Sequence, residues 1–89
     1  MTDIQRIAVV GGGFMGGGIA QVAAQGGFEV TLIDVNPAAL DKAIADMRDS
    51  LGRLCAKGVV KEPAEAVLSR VATGSAIADA ARADVVIEA

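Results

Sequence analysis

Ile7-Ala8-Val9-Val10 is an uninterrupted apolar run, glycines fill positions 11 to 13, and small or apolar residues continue to Gln25. This pattern predicts a strand, a turn, and a helix from about Phe14 to Gln25, with Gly16, Ala20, Ala23 and Ala24 against a sheet. Gly26-Gly27 ends the helix, and Phe28-Glu29-Val30-Thr31-Leu32-Ile33 forms a second strand. Leu40, Ile44, Met47, Leu51 and Leu54 then recur at alternating four- and three-residue steps. They predict a long helix with Asn36 as N-cap, Pro37 in the first position and Gly58 as its stop. Lys61-Glu62-Pro63 announces a short helix through Val67 and Leu68. Val71-Ala72-Thr73 reads as a third strand, and Ala76 to Ala81 as one or two helical turns. Asp84-Val85-Val86-Ile87-Glu88-Ala89 has the look of a fully buried parallel strand.

Strands alternating with helices predict an α/β fold, a Rossmann-type doubly wound parallel sheet of strand order 3-2-1-4. In that order the last strand lies beside the first, and its outer edge calls for a further strand. An unpaired apolar edge is an aggregation hazard, so the 89 residues are expected to be the front part of a larger polypeptide.

The turn after the first strand carries candidate chemistry. Gly11, Gly13 and Gly16 stand in G-x-G-x-x-G spacing between a strand and a helix, the context that a dinucleotide-binding turn requires. Gly11 permits the tight turn, Gly13 leaves room for a pyrophosphate, and Gly16 lets helix and strand approach closely. The unpaired amides and positive dipole end of the helix then receive the anion, and no basic side chain lies between Ile7 and Phe28. Asp34 ends the second strand near the roughly 20-residue offset at which a carboxylate accepts hydrogen bonds from ribose hydroxyls. The same charge repels a 2′-phosphate, and no Arg or Lys follows before Lys42, so NAD is expected rather than NADP.

Other readings of the glycine run fit less well. A nucleoside-triphosphate loop needs Gly-Lys-Ser or Gly-Lys-Thr, whereas Gly17 and Ile19 follow Gly16 and Gly18. Met15 stands where the tighter glycine repeat of a methyltransferase would put Gly. The uncharged stretch from Ile7 to Phe28 is long enough to span a bilayer, but its glycines, Gln21 and Gln25 weaken such a helix and the flanks lack a positive bias. Asp3 argues against a signal peptide. With 8 basic and 11 acidic residues, net charge −3 and two aromatics, the chain has no footprint for nucleic acid or an anionic membrane. The lone Cys55 and the absence of histidine argue against a disulfide and a metal site, and point to a reducing cytoplasm. Cys55 itself reads as a structural thiol.

Gly11-Gly12-Gly13-Phe14-Met15-Gly16-Gly17-Gly18-Ile19-Ala20-Gln21-Val22-Ala23-Ala24, Asp34-Val35-Asn36 and Ala83-Asp84-Val85-Val86-Ile87-Glu88-Ala89 together resemble the NAD-binding domain of the 3-hydroxyacyl-CoA dehydrogenases. That family includes 3-hydroxybutyryl-CoA dehydrogenases and multifunctional fatty-acid oxidation enzymes. Gly12, Phe14 and Gly17 depart from the Ala, Thr and Ser of the family pattern, so contacts at Phe14 are expected through the backbone rather than a hydroxyl.

The resemblance implies cofactor contacts from Gly11, Gly13, Phe14, Met15, Gly16 and Asp34, with the backbone of Ala89 bordering the NAD at the carboxyl end of its strand. It also implies that Ser50 and Lys57 contact the coenzyme A part of an acyl-CoA substrate. Arg53 lies between them, either assisting or pairing with Asp49 four residues earlier. The implied reaction oxidises an L-3-hydroxyacyl-CoA to a 3-ketoacyl-CoA, with a His and Glu pair handling the hydroxyl proton. Those catalytic residues are not in this sequence, and Glu88 reads as structural. The remainder of the domain and a helical substrate and dimerisation domain are expected to lie beyond Ala89, with the complete enzyme a homodimer. Two alternatives stay open: a noncatalytic NAD-binding or redox-sensing module that dimerises, and another NAD dehydrogenase of the 6-phosphogluconate type.

Overall fold

The computed structural model describes residues 3–89. Its elements follow the apolar pattern closely: β1 (Arg6–Val10), α1 (Phe14–Gln25), β2 (Glu29–Ile33), α2 (Pro37–Ala56), α3 (Ala64–Leu68), β3 (Val71–Gly74), a 3-10 turn (Ile77–Ala80) and β4 (Val85–Glu88). The strands pair in parallel in the order β3-β2-β1-β4. Right-handed crossovers put α1, α2 and α3 on one face of that sheet and the 3-10 turn on the other.

Local chemistry starts and stops these elements where the residues dictate. Asn36 caps α2 by accepting a hydrogen bond from the Ala38 amide at 3.0 Å, and Pro37 occupies the first turn, where no amide is needed. Gly58 follows the helix with φ +74°, a conformation that an L side chain resists. The apolar stripe of α2 buries Leu40, Ala43, Met47 and Leu51, while Ile44 and Leu54 lie half-buried at its margins. Val9, Val30 and Leu32 of the sheet, Ala20 and Ala24 of α1, and Val67 and Leu68 of α3 complete the core. Small residues let α1 come close: a Cβ on Gly17 would lie 3.5 Å from that of Ala43.

Polar clasps close the edges. The Arg70 guanidinium binds the Glu62 carboxylate with both terminal nitrogens, and Nη1 also donates to the Ala24 carbonyl at 2.8 Å, joining the end of α1 to the approach to β3. The Glu62 carboxyl is held below its usual range by those hydrogen bonds. Asp84 accepts from the amides of Gln5 at 2.9 Å and Arg6 at 3.0 Å, fastening the start of β4 to the start of β1.

β4 departs from the expectation of full burial. Val85 and Ile87 are half-buried, whereas Val86 and Glu88 are exposed, because none of the described elements packs over Val86 or pairs with the outer edge of β4. The uncharged stretch from Ile7 to Phe28 is divided among a strand, a turn and a 12-residue helix. No helix of the described residues is long and apolar enough to cross a membrane.

The Asp84 clasp makes stability depend on pH. The amides of Gln5 and then Arg6 lower its pKa in the folded state, so the carboxylate stabilises the fold above its unfolded value of about 3.9. That contribution is lost as pH falls through the depressed folded value. Asp84→Asn is therefore expected to lower the urea midpoint at neutral pH, with parent and variant converging in acid; a constant gap across the titration would contradict this role.

Candidate functional site

The glycine turn lies at the carboxyl ends of the central strands, where β2 and β4 flank β1. Gly11 adopts φ +112°, and its amide donates to the Ile33 carbonyl at 2.8 Å. The next amide, of Gly12, donates to Asp34 Oδ2 at 2.8 Å, and the amide of Asn36 donates to Asp34 Oδ1 at the same distance. These hydrogen bonds, that from Asn36 first, hold the Asp34 carboxyl below the usual carboxylate range. Each oxygen keeps a second acceptor position, and the half-buried residue remains open to a ligand.

Gly16 sits directly behind the turn. A Cβ there would collide with the Gly11 carbonyl oxygen, so glycine is required for α1 to begin this close to β1. At Gly13, by contrast, an added Cβ would meet nothing within 4 Å, and the residue is exposed. Gly13 is also the N-cap of α1 and supplies no side chain to the first-turn amides, and that turn contains no acidic residue. The amides at this end of the helix are thus presented outward without a protein anion competing for them. A helix terminus open to an anion beside a carboxylate open to hydroxyls fits a dinucleotide.

The other expected residues group around this turn. Ala89 donates its amide to the Val10 carbonyl at 2.9 Å, and its own carbonyl oxygen lies 3.0 Å from where a Cβ on Gly11 would stand. It therefore borders the turn. Glu88 pairs in register with Val10 and is exposed. Phe14 is 100% exposed and Met15 68% exposed, so neither side chain belongs to the core.

A groove of about 1370 Å³ runs from Gly13 and Phe14 along the seam between α1 and α2 to Ser50 and Arg53. Ser50 Oγ accepts from Gln21 Nε2 at 2.9 Å, and Gln21 also donates to Gln25 Oε1 at 3.0 Å. Ser50 and Arg53 line this groove, but Lys57, the exposed C-cap of α2, does not. Asp49 and Arg53 form no ion pair; α2 instead pairs Lys42 with Asp46 at 2.9 Å. Cys55 is partly buried and donates to the Glu62 carbonyl at 3.2 Å, which gives it a structural role.

Two participants were not singled out from the sequence as site residues. Gln21 positions Ser50, and its signal was a polar side chain in an otherwise uncharged, small-residue helix. Gly74 accepts a hydrogen bond from the Asp34 amide at 3.0 Å, a contact that only strand pairing creates.

Residues 6–89 match the family described as "3-hydroxyacyl-CoA dehydrogenase, NAD binding domain". The chain is 43% identical over 84 residues to a probable 3-hydroxybutyryl-CoA dehydrogenase of Deinococcus radiodurans, covering 94% of this chain and 30% of that protein. It is 42% identical over 86 residues to the 3-hydroxybutyryl-CoA dehydrogenase of Bradyrhizobium diazoefficiens, covering 96% and 29%. The crystal structure of (S)-3-hydroxybutyryl-CoA dehydrogenase from Ralstonia eutropha superposes with a TM-score of 0.90 at 35% identity, over 98% of this chain and 31% of that one. The chain thus spans about three tenths of the length of these relatives. With the glycine turn, the parallel 3-2-1-4 sheet and this match in agreement, the chain belongs to the NAD-binding domain family of the 3-hydroxyacyl-CoA dehydrogenases.

Proposed function

We propose that residues 1–89 are the amino-terminal part of the Rossmann domain of an enzyme that oxidises L-3-hydroxyacyl-CoA to 3-ketoacyl-CoA with NAD. The observation that carries this reading is the family match over residues 6–89, which spans both the glycine turn and its Asp34 anchor. When bound, the nicotinamide accepts the hydride from the substrate carbon.

The residues of this chain bind and orient. The first-turn amides of α1, from Phe14 and Met15 onward, receive the pyrophosphate as backbone donors, and Gly13 lets it approach. Asp34 accepts from the adenosine ribose hydroxyls with the acceptor positions left free by Gly12 and Asn36, and its charge excludes a 2′-phosphate. Ala89 borders the cofactor at the switch point between β1 and β4. The family resemblance assigns the proton leaving the substrate hydroxyl to a histidine, which this sequence does not contain, so none of these residues is given that role.

Ser50, oriented by Gln21, and Lys57 at the end of α2 serve the coenzyme A part of the substrate. Lys57 meets a phosphate as a mobile point charge, and Arg53 in the groove adds a second cation. The complete enzyme is proposed to work in the cytoplasm as a homodimer.

Incubating the full-length enzyme with NAD and (S)-3-hydroxybutyryl-CoA should generate NADH; no turnover with any 3-hydroxyacyl-CoA would sink the assignment. Asp34→Ala is expected to weaken NAD binding roughly tenfold or more, since hydrogen bonds to charged groups are the strong ones, and to narrow the preference over NADP. Equal NAD affinities in parent and variant would remove Asp34 from the ribose site. Lys57→Ala should raise KM for acyl-CoA more than for the matching acyl-pantetheine, and equal changes for both would remove Lys57 from the coenzyme A site.

A further inference from the structure

The main chain of Asp34 is held on the side away from the glycine turn by the bond from its amide to the Gly74 carbonyl, 3.0 Å long. Gly74 ends β3 opposite Ile33, one residue before the acidic position. Its glycine is not demanded by the backbone, because its φ is not positive. Packing demands it. A Cβ at this position would stand 2.5 Å from Asp79 Oδ2, 2.8 Å from Asp79 Cγ and 2.9 Å from Asp79 Cβ.

Asp79 cannot easily yield. Its Oδ2 accepts from the Ala76 amide at 3.0 Å, and its own amide donates to the Ala76 carbonyl at 2.9 Å, which locks the side chain onto the 3-10 turn. Rotating the carboxylate would break the first bond and would still leave the Asp79 Cβ in place. Glycine at a strand end marks such a close approach. Any side chain at position 74 must therefore displace either the 3-10 turn or the carbonyl that holds Asp34.

We propose that Gly74 is a positioning residue for Asp34: its lack of a side chain against Asp79 lets its carbonyl hold the Asp34 amide, and this sets how sharply the site distinguishes NAD from its 2′-phosphorylated counterpart. This role rests on the reading of Asp34 as ribose acceptor made above. Asp34 needs both anchors: its side chain is held from the glycine turn, and its backbone from β3.

The test uses the full-length enzyme carrying Gly74→Ala, Asp34→Ala, and the double change Gly74→Ala with Asp79→Gly, which removes the obstructing carboxylate together with its Cβ. Equilibrium titration of each variant gives Kd for NAD and NADP, and steady-state kinetics give kcat and KM for NAD, NADP and acyl-CoA. Gly74→Ala is expected to raise KM for NAD about 3- to 10-fold, the scale of one weakened hydrogen bond, and to lower the NAD to NADP preference. Its KM for acyl-CoA should stay unchanged, and the double variant should return most of the loss. An unchanged KM for NAD, a parallel rise in every KM, or a double variant no better than the single would overturn the role. If Gly74→Ala alone does not fold, a folded double variant with near-parental KM for NAD supports it, and an unfolded one overturns it. A parent enzyme whose NAD affinity is indifferent to Asp34→Ala fails the underlying reading; a parent sensitive to Asp34 but not to Gly74→Ala fails this inference alone.

Discussion

The end of β2 holds the glycine turn by two successive hydrogen bonds, from Gly11 to the Ile33 carbonyl and from Gly12 to the Asp34 carboxylate. The rest of the site depends on that pair. Gly11 leaves β1 at φ +112°, which aims its carbonyl at α1 and makes room for the helix only because position 16 lacks a side chain. Were the turn free to relax, the N-terminus of α1 would lose its fixed distance from Asp34. The open end of α1 and the Asp34 carboxylate are thus held at a fixed separation by the turn itself.

That rigidity is obtained from a helix poor in intrinsic stability. Gly16, Gly17 and Gly18 each disfavour a helix interior by about 1 kcal/mol relative to Ala. Close packing offsets this, because Gly16, Gly17, Ala20 and Ala24 are all buried. The longer α2 supplies the large apolar side chains that α1 lacks: Met47 and Leu51 are buried and join the cluster that contains Val9, Val30 and Leu32. One helix is thus shaped for the ligand and its neighbour for stability.

Most of this was legible in the sequence because it is local. Glycine spacing after an apolar strand, Asn36-Pro37 before an apolar stripe, and an acid at a strand end each declare their role within a few residues. What stayed hidden depends on elements distant in the chain. Gln21 meets Ser50 across 29 positions, and Gly74 meets Asp34 through strand register and Asp79 through a turn on the other face of the sheet. The partial exposure of β4 was hidden for a related reason: an apolar run of three residues reports what a strand is suited to face, not what packs there. Where α2 stops was likewise set by its end rather than its stripe: it closes at Ala56, which leaves Lys57 as an exposed cap outside the groove that Ser50 lines.

The two faces of the sheet explain why the site lies where it does. Both early crossovers run in one direction and place α1 and α2 over Val9, Val30 and Leu32. The connection from β3 to β4 passes back under the sheet, where Ala8 and Ile33 are buried outside that cluster. Between β1 and β4 the crossovers leave to opposite faces, so no connection covers the carboxyl ends of those two strands. Ala89 and Gly11 meet at that gap, with the open end of α1 directly above. Asp34 borders the same gap from β2, with its amide bonded to the Gly74 carbonyl, and Asp79 lies close against Gly74 from behind the sheet. Strand order creates the crevice, the glycines keep it open, and hydrogen bonds from the turn on one side and β3 on the other hold its acidic edge in place.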